Sequence, residues 1–547
     1  MTDLDVVRAW GRLDADPANR AEVDELLGRG DSAEIDDRFG RHLRFGTAGL
    51  RGRLGAGPNR MNVVTVARVA VALTRWSAAP RVVIGYDARH GSHAFAEITA
   101  RLITAAGGEA LWFDDIVPTP VLAFSVQDAA ADLGVMVTAS HNPPGDNGYK
   151  VYLADGAQLV PPVDTQIEDL MTSISLDELS ELIESASAVA LPPPVDRQAT
   201  IERYLDRVVD DGAVGEPVVA YTPLHGVGRD VFEQALSRVG LRATAVPTQA
   251  DPDPTFATVS FPNPEEPGAL DALLALAESI GADVALAHDP DADRLAVAVP
   301  SAGGWEVLSG NELGALLADH RLETTEGDDR LVVTTVVSSR LLAKLAEAHH
   351  VTFTETLTGF KWVMRPAIDG PHRFVFGYEE ALGYAVNAVV RDKDGISAGV
   401  TFLQLLERLG SQHRTPRQRL DDLARIHGVH VSGQRTIVFD GPNAATDMAA
   451  VMQRTREQQW QSLGDVAVDH TVDFADGSHD PGTDLLRFDL SDGSRIQIRP
   501  SGTEPKLKIY SEVVLAVEGP DADVGARRDE ARQHGERLLS AAAVALS

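Results

Sequence analysis

The sequence predicts an α/β protein of several domains, with an α+β domain at its C-terminal end. A chain of 547 residues exceeds what one hydrophobic core holds, because domains average roughly 150 residues. Strand and helix patterns alternate and restart along the chain, which is typical of sheets joined by helical crossovers. Towards the end, short strands of alternating polarity replace that pattern. We therefore expect three similar α/β domains with mixed sheets and a fourth, α+β domain with an antiparallel sheet.

The first α/β unit is expected to follow one or two acidic surface helices within residues 1–40. An apolar run at residues 82–86 predicts a strand, and Phe95, Ile98 and Leu102 mark the buried face of the next helix. Two further apolar runs predict strands at residues 111–113 and 135–138. Ligands gather at the carboxyl ends of such strands, so the segment after residue 138 is a candidate site.

A proline-rich stretch at residues 185–197 predicts a linker, and the strand and helix pattern restarts beyond it. The second unit has predicted elements at residues 218–221, 231–239, 244–246, 269–280 and 284–287. The third unit has them at residues 331–337, from 341 and from 351. The last unit has a hairpin at residues 488–498, a strand at 507–510 and a helix near 527–545. The four domains are predicted to cover residues 1–205, 206–310, 311–428 and 429–547.

The composition excludes several classes of protein. The absence of cysteine excludes disulfides, thiolate catalysis and cysteine-ligated zinc. No apolar run reaches the roughly 18 residues of a membrane span, and the acidic start does not resemble a signal peptide. A net charge of −32 opposes binding to nucleic acid, so any phosphate site needs locally gathered arginine, lysine and backbone N–H groups. We expect a cytoplasmic enzyme without nucleic-acid or membrane partners.

Ser140 is the candidate nucleophile. Apolar residues 134–137 predict a strand that leads the serine into a turn, where Pro143 prevents a regular continuation and the hydroxyl can be left exposed. The alternative is a turn serine bonded to its own backbone. A Ser-His-Asp hydrolase is disfavoured, because His141 is adjacent and neighbouring side chains diverge in an extended segment. The nucleophile elbow of such hydrolases is also missing. A phosphorylatable serine fits better.

Asp289, Asp291 and Asp293 are the candidate metal ligands. Their spacing after an apolar strand lets one turn wrap three carboxylates around a hard cation, and Mg²⁺ suits such a site. A calcium loop of the EF-hand type is disfavoured, because its glycine and glutamate positions hold Arg294 and Pro300. A solvated acidic turn is the remaining alternative. Arg294 offers a planar fork to phosphate oxygens.

Residues 499–508 form a candidate anion site. Successive backbone N–H groups and hydroxyls of Ser501, Gly502 and Thr503 can form a concave nest, with charge from Arg499 and Lys508. The same segment is also compatible with a plain hairpin connection. Two other segments, residues 377–383 and 358–361, have carboxylates or a lysine in glycine-bounded loops. The paired carboxylates could accept bonds from sugar hydroxyls or could simply face water.

Together, five segments resemble the α-D-phosphohexomutase family, and they occur in the family's order. They are residues 45–52, 138–143, 289–294, 377–383 and 499–508. Each is weak to moderate alone, whereas five in order are highly specific. The resemblance implies four domains arranged around a central cleft. It also implies a phosphosugar mutase, which is an isomerase.

The resemblance implies a role for each matching residue. Ser140 becomes the phosphoserine and, with Asp289, Asp291 and Asp293, a ligand of one Mg²⁺. Lys150 matches a lysine proposed as general acid/base, and His141 and Arg294 join it in the catalytic set. The residues implied in substrate binding are Thr47, Arg51, Thr358, Gly359, Lys361, Glu379, Ala381, Arg499, Ser501, Gly502, Thr503 and Lys508.

The implied reaction interconverts hexose 1-phosphate and hexose 6-phosphate, with α-D-glucose preferred and glucose 1,6-bisphosphate as intermediate and activator. The partners would be small sugar phosphates, and the enzyme a monomer or homodimer. Two departures leave the sugar open: Ala381 replaces a common serine, and residues 377–380 match the branch with phosphopentomutases and bisphosphate-forming enzymes. Phosphomannomutase, phosphopentomutase and sugar-1,6-bisphosphate synthase activities are therefore alternatives. A metal-dependent phosphatase and a catalytically silent sensor are rivals of another class.

Overall fold

The computed structural model describes residues 2–46, 49–210, 212–441, 443–477, 482–501, 506–519 and 522–546. These residues form four sheets that follow one another along the chain. Three sheets are mixed and packed with helices, and the last is antiparallel. The predicted fold class is therefore confirmed, while the limits between domains stay predictions.

The N-terminal segment forms three short helices in the described residues, so the prediction of one or two was wrong. They are α1 (Leu4–Leu13), α2 (Pro17–Arg29) and α3 (Ser32–Phe39). Each begins after an aspartate whose side chain accepts a bond from a backbone N–H: Asp3, Asp16 and Asp31. Because each cap starts a new helix, the segment is divided into three helices. The helices are also more than a surface layer, because buried Trp10 packs edge-on against Phe39 at 5.6 Å.

The first sheet has the strand order β1-β2-β6-β5-β3-β4. Its strands are β1 (Phe45–Gly46), β2 (Gly49–Arg53), β3 (Arg81–Tyr86), β4 (Glu109–Trp112), β5 (Leu133–Val137) and β6 (Asp146–Leu153). Its helices are α4 (Val63–Trp76), α5 (Ser92–Ala105), α6 (Thr119–Asp128), α7 (Val163–Ser173) and α8 (Leu176–Ser187). β5 is central and wholly buried, which matches its unbroken apolar sequence. Its carboxyl end leads into the turn that carries Ser140.

The second sheet has the order β11-β10-β9-β7-β8. Its strands are β7 (Val219–Thr222), β8 (Ala243–Ala245), β9 (Val284–Ala287), β10 (Ala296–Ser301) and β11 (Gly304–Val307). Its helices are α9 (Arg197–Val208), α10 (Arg229–Arg238) and α11 (Asp271–Ile280). β9 is again central and buried, and the three aspartates follow its carboxyl end.

The third sheet has the order β13-β12-β14-β15. Its strands are β12 (Arg330–Thr335), β13 (Thr352–Thr356), β14 (Arg373–Glu379) and β15 (Gly383–Ala385). Its helices are α12 (Gly310–Thr324), α13 (Leu341–Ala348), α14 (Phe360–Val363), α15 (Arg365–Ile368), α16 (Gly395–Ser411) and α17 (Pro416–His427). The turn from β14 to β15 contains Ala381 and closes the acidic loop.

The fourth sheet has the order β16-β21-β20-β19-β18-β17, with antiparallel pairing throughout. Its strands are β16 (Val429–Val438), β17 (Ser462–Leu463), β18 (Val466–Asp473), β19 (Leu486–Leu490), β20 (Arg495–Pro500) and β21 (Lys506–Leu515). Its helices are α18 (Ala444–Gln458) and α19 (Val524–Leu546). Even α19, with 23 residues, is too polar to span a bilayer, and no other described helix is long and apolar enough.

The first three domains share one continuous apolar core. It runs from Phe113 and Tyr152 of the first domain, through Phe232 of the second, to Phe376 and Tyr378 of the third. The fourth domain has a core of its own and meets the third through a smaller apolar cluster. The first three domains therefore form a single packed frame, to which the fourth is attached separately.

Candidate active site

Ser140 lies at the end of β5 with its hydroxyl directed at the second domain. Its Oγ donates to Asp289 Oδ2 at 2.7 Å. The printed contacts of this hydroxyl go to the side chains of Asp289 and His141, whereas the plain turn-serine alternative requires a bond to the backbone of its own turn. The residue is only 2% exposed, so the expected exposed hydroxyl was wrong. The aspartate loop covers the serine, a contact between residues 149 positions apart in sequence.

His141 is closer to the serine hydroxyl than an extended segment allows. Ser140 has a φ of 52°, in the left-handed region, and this folds the next side chain back. The two atoms Ser140 Oγ and His141 Nδ1 are 3.1 Å apart. Burial, together with nearby Arg294 and Arg51, holds the pKa of His141 well below its ordinary value. The expectation of diverging side chains was therefore wrong, and a neutral imidazole stands beside the hydroxyl.

The three aspartates converge as the spacing predicts. Oxygens of Asp289, Asp291 and Asp293 lie within 4.8 Å of one another, and all three residues are buried. Asp291 Oδ1 and Asp293 Oδ1 have no hydrogen-bond partner among the described residues. Buried unpaired carboxylate oxygens are costly unless a cation satisfies them. The donor set, three carboxylates beside a hydroxyl, therefore fits a hard divalent cation.

Basic side chains compensate the buried carboxylates. Lys150 donates to Asp291 Oδ2 and Asp293 Oδ2, both at 2.8 Å, and Lys393 Nζ lies 3.1 Å from Asp293 Oδ2. Burial and the two neighbouring aspartates raise the pKa of Asp289 well above its ordinary value. Burial would also raise the pKa of Asp293, but Lys150 and Lys393 outweigh it and lower that pKa. The lysines thus offset locally the negative charge of the whole chain.

The metal loop is anchored by its own domain and by the first domain. A Cβ on Gly226 would lie 2.3 Å from Pro290 Cα, so only glycine permits this approach. Val227 N donates to Pro290 O at 2.8 Å. From the first domain, the Thr119 hydroxyl donates to Asp291 Oδ2 at 2.7 Å and its N–H donates to Asp291 O. The carboxylates are therefore fixed before any cation binds.

Arg294 and Arg51 bring guanidinium groups to this cleft. Arg294 N donates to Asp289 Oδ1 at 3.0 Å, and its NH1 donates to Glu265 Oε2 at 3.1 Å. Arg51 NH1 donates to Ala139 O and to the side chain of Asn142. Arg51 therefore contacts the turn of the serine, and Arg294 contacts the loop of the aspartates.

The third domain adds the acidic loop and its glycine neighbour. Glu379 Oε1 accepts the N–H of Gly359 at 2.8 Å, so residues 358–361 and 377–383 meet as one wall. The backbones of Arg294 and Gly383 form a bridge, which joins this wall to the metal loop. Thr358 adjoins Gly359, Ala381 lies in the loop's turn, and Lys361 is buried above the Trp362 ring at 5.9 Å. Burial raises the pKa of Glu379.

The fourth domain carries the described part of the candidate anion site. Arg499 and Lys508 are paired residues of β20 and β21, so their side chains share one face. Ser501 N donates to Lys506 O at 2.7 Å, which closes a hairpin, as the plain alternative describes. The pKa of Lys508 lies below its ordinary value. Burial and the nearby Arg499 lower it, and they outweigh Glu380, which acts in the opposite direction. Three other predicted residues, Thr47, Gly502 and Thr503, lie outside the described residues.

Sequence reasoning missed two basic residues at the centre of the site. Lys393 precedes α16, and Asp394 caps that helix by accepting from two backbone N–H groups. The charged residues before the apolar helix α16 could have indicated its N-terminal cap. No local pattern, however, indicates that Lys393 contacts Asp293. Arg89 follows β3 and reaches the turn of Ser140. Only the fold reveals either contact, because each joins distant segments.

Glu512 attaches the fourth domain to the third. It accepts from the Ser339 hydroxyl and from Arg340 N, both at 2.8 Å, and Arg340 Nε donates to it at 2.5 Å. His430 Nδ1 is 3.2 Å away. Burial would raise the pKa of Glu512, but His430 and Arg340 outweigh it and lower the pKa to about 2. This carboxylate therefore links the fourth domain to the third.

The fold and site define an enzyme of phosphoryl transfer with a buried serine, a candidate cation site and a hairpin that carries Arg499 and Lys508. Comparison with models of protein families identifies the family to which this chain belongs. Four models match in order and cover most of the chain: Phosphoglucomutase/phosphomannomutase, alpha/beta/alpha domains I, II and III, at residues 42–178, 202–303 and 309–426, and its C-terminal domain, at 450–532. The chain belongs to this α-D-phosphohexomutase family and is a phosphomutase, an isomerase of carbohydrate metabolism.

Curated relatives are similar over almost their whole length. A protein named probable phosphomannomutase from Haemophilus influenzae is 39% identical, covering 87% of this chain and 97% of the relative. A phosphoribomutase from Saccharomyces cerevisiae is 33% identical, covering 93% and 92%. A phosphoglucomutase from Staphylococcus epidermidis is 33% identical, covering 90% and 95%. These names agree on the mutase chemistry and differ in the sugar.

Solved structures share the fold. A phosphoglucomutase from Paramecium, pp63/parafusin in its open form, has a TM-score of 0.66 at 18% identity and covers 92% of this chain and 96% of its own. A phosphoglucomutase/phosphomannomutase family protein from Burkholderia thailandensis has a TM-score of 0.65 at 20% identity, covering 91% and 97%. At these identities the likeness shows the architecture alone.

We expect Glu512→Gln to destabilise the protein at pH 7 by roughly 2–3 kcal/mol, since a lowered folded-state pKa measures how strongly the ionised form is held. The folded pKa of about 2 lies below the ordinary 4.5. This stabilisation is therefore present above pH 4.5 and lost as the pH falls towards 2. Urea unfolding of both proteins at several pH values measures the difference. It should shrink below pH 4.5.

The matched control is Glu518→Gln, because Glu518 is exposed on the same domain. We expect this change to alter stability by less than about 0.5 kcal/mol at every pH. An effect of Glu512→Gln that equals the control, or that grows as the pH falls, would contradict the role of Glu512.

Proposed function

We propose that this phosphomutase interconverts hexose 1-phosphate and hexose 6-phosphate, with α-D-glucose as the sugar, through phosphorylated Ser140 and a 1,6-bisphosphate intermediate. The observation that carries the proposal is the 2.7 Å contact between Ser140 Oγ and Asp289, at a carboxylate cluster with unpaired buried oxygens. A nucleophile and a cation site share one cleft, which is what phosphoryl transfer needs. Small sugar phosphates are the proposed partners, and one Mg²⁺ and glucose 1,6-bisphosphate the proposed cofactors.

In this proposal, Asp289, Asp291 and Asp293, with the Ser140 oxygen, hold the Mg²⁺. Bound there, the ion would neutralise charge on the transferring phosphoryl group. The chain's own contribution is to fix the carboxylates through Thr119 and the backbone around Pro290. Lys150 and Lys393 balance the remaining charge when substrate enters and leaves.

The proposed exchange has two transfers that mirror each other. In the first, the bond from phosphorus to Ser140 Oγ breaks as a bond to a sugar hydroxyl oxygen forms, and that hydroxyl loses its proton. Lys150 and His141 are the two proposed proton carriers, since both lie at the serine and aspartate cluster. The bisphosphate then presents its other phosphate, which returns to Ser140 while the proton is given back.

Substrate contacts are proposed from the walls of the cleft. Glu379 keeps one carboxylate oxygen for a sugar hydroxyl, because Oε1 already accepts the Gly359 N–H. Thr358, Lys361 and Ala381 complete this sugar wall. Arg294, with Thr47 and Arg51, would grip the reacting phosphate. The proposed residues for the distant phosphate are Arg499, Ser501, Gly502, Thr503 and Lys508.

Transfer to a sugar is favoured over hydrolysis by the proposed second phosphate site on the fourth domain. A site for a phosphate that does not react suits a bisphosphate more than a simple monoester.

The sugar is tested by a series of substrates. We expect the highest kcat/KM for glucose 1-phosphate, the sugar in the name of the staphylococcal relative. Mannose 1-phosphate and ribose 1-phosphate are the rivals, from the names of the other two relatives. All should be assayed with Mg²⁺ and a trace of the matching bisphosphate. A ribose rate more than about tenfold above glucose, about 1.4 kcal/mol, would overturn the glucose assignment and favour a phosphopentomutase.

We expect Ser140→Ala to lower kcat by at least about 10⁴-fold, because the phosphoryl carrier is removed. A coupled assay of mutase turnover measures this, and intact mass after incubation with bisphosphate reports phosphorylation. Ser125→Ala is the matched control: this serine is also buried but donates to Val121 O within α6. The Ser125→Ala variant should still be phosphorylated at Ser140 and should have the same mutase turnover as the parent. Comparable activity in Ser140→Ala and the parent would refute the phosphoserine mechanism.

We expect Arg499→Ala to raise KM about 10-fold to 100-fold and to change kcat less than about threefold. Its guanidinium would bind the phosphate that does not react, and a hydrogen bond to a charged group contributes roughly 1.5–3 kcal/mol. Arg435→Ala is the control, since the Arg435 side chain is 40% exposed on β16 of the same sheet. Steady-state kinetics of the parent, Arg499→Ala and Arg435→Ala measure these changes in KM and kcat. A fall in kcat with unchanged KM would contradict a binding role.

A further inference from the structure

The guanidinium of Arg89 donates to backbone carbonyl oxygens of the turn that carries Ser140. One nitrogen, NH2, donates to Ser140 O and Asn142 O, both at 2.6 Å. The other, NH1, donates to Pro143 O at 2.8 Å and Asp146 O at 3.1 Å. The residue is 4% exposed. One buried side chain therefore fixes four carbonyl oxygens of the segment that carries the nucleophile.

Asp87 fixes the other side of the same serine. Its Oδ2 accepts the hydroxyl of Thr138 at 2.7 Å, and that hydroxyl oxygen accepts the N–H of Ser140 at 2.8 Å. Asp87 Oδ1 also accepts the N–H of Arg89 at 3.0 Å. Thus the N–H of Ser140 is held through Asp87 and its C=O through Arg89.

The backbone of Ser140 needs such support. Its φ of 52° lies in the left-handed region, which costs a residue other than glycine of order 1 kcal/mol or more. This conformation directs Oγ to Asp289 and brings His141 beside it. Contacts that hold both backbone groups keep the serine in this state against relaxation.

Arg89 also touches the second domain. Its guanidinium carbon lies 4.8 Å from the centre of the Phe256 ring, a cation–π contact that covers the group. Phe256 is itself buried. The arginine thus contacts both the serine turn and the domain that provides the aspartates.

We propose that Arg89 and Asp87 are positioning residues for the nucleophile: they hold Ser140 in the left-handed conformation that aligns Oγ with the aspartate cluster. Arg89 acts through backbone carbonyls and does not contact substrate. This inference rests on the proposed role of Ser140 as the phosphoryl carrier. It predicts that loosening these contacts of Arg89 and Asp87, named here the clamp, slows phosphoryl transfer far more than it weakens the binding of substrate and cation.

The first test is Arg89→Lys, because an ammonium cannot span four carbonyls as the planar fork does. We expect kcat to fall about 100-fold, the loss that a displacement near 1 Å produces, with KM within about threefold. Mg²⁺ affinity, measured by calorimetry, should fall far less than kcat, since three of the four proposed ligands, the aspartates, lie on another domain. The control is Arg68→Lys. Arg68 is equally buried and donates to Met171 O and Ile174 O, away from the site.

A second pair serves if Arg89→Lys fails to fold. Thr138→Val removes the hydroxyl between Asp87 and Ser140 N but keeps the shape, whereas Thr138→Ser keeps the hydroxyl. We expect kcat to fall at least about 10-fold in the valine variant and to stay within about threefold of the parent in the serine variant. If kcat is retained in Thr138→Ser but lost in Thr138→Val, the hydroxyl that positions Ser140 is required and the packing of the side chain is not.

The outcomes distinguish two failures. If Ser140→Ala is inactive but Arg89→Lys keeps the kcat of Arg68→Lys, the clamp is refuted and the phosphoserine mechanism stands. The clamp is also refuted if Arg89→Lys raises KM alone, or if both Thr138 variants behave alike. If Ser140→Ala retains turnover, the proposed function itself fails, and the inference with it.

Discussion

The contact between Ser140 of the first domain and Asp289 of the second is the constraint on which the rest of the structure depends. Each group lies at the carboxyl end of a central, buried strand, where such sheets place their ligands. Their atoms meet at 2.7 Å only if the two domains keep a fixed relation. The continuous core of the first three domains provides that relation, and the Thr119 bonds to Asp291 lock it locally.

Electrostatics impose the second requirement. The chain carries a net charge of −32, and the buried cluster adds three carboxylates at the point where an anionic substrate must enter. Lys150, Lys393 and Arg294 surround that cluster, so the cleft differs in local charge from the surface around it. Burial strengthens these pairs because they are little screened by water or salt. The site can thus accept phosphate in spite of the global field.

The attachment of the fourth domain suits a mutase. Its hairpin carries the proposed site for the distant phosphate, yet its core is separate and its link to the third domain is small and partly ionic. In the proposed mechanism a bisphosphate turns round inside the cleft, and this movement needs one wall to yield while the serine and the aspartates stay fixed. The division into a shared three-domain core and a separately packed fourth domain meets both needs.

The sequence alone predicted the fold class and the convergence of the three aspartates, because strands, turns and the aspartate spacing are local patterns. Residues 284–287 are unbroken apolar, and Asp289, Asp291 and Asp293 follow at a spacing that one turn can gather. Only the tertiary structure decided that Ser140 is buried, that His141 folds back beside it, and that Lys393 and Arg89 belong to the site. Those facts depend on a left-handed backbone angle and on contacts between segments far apart in the chain, which no local pattern records.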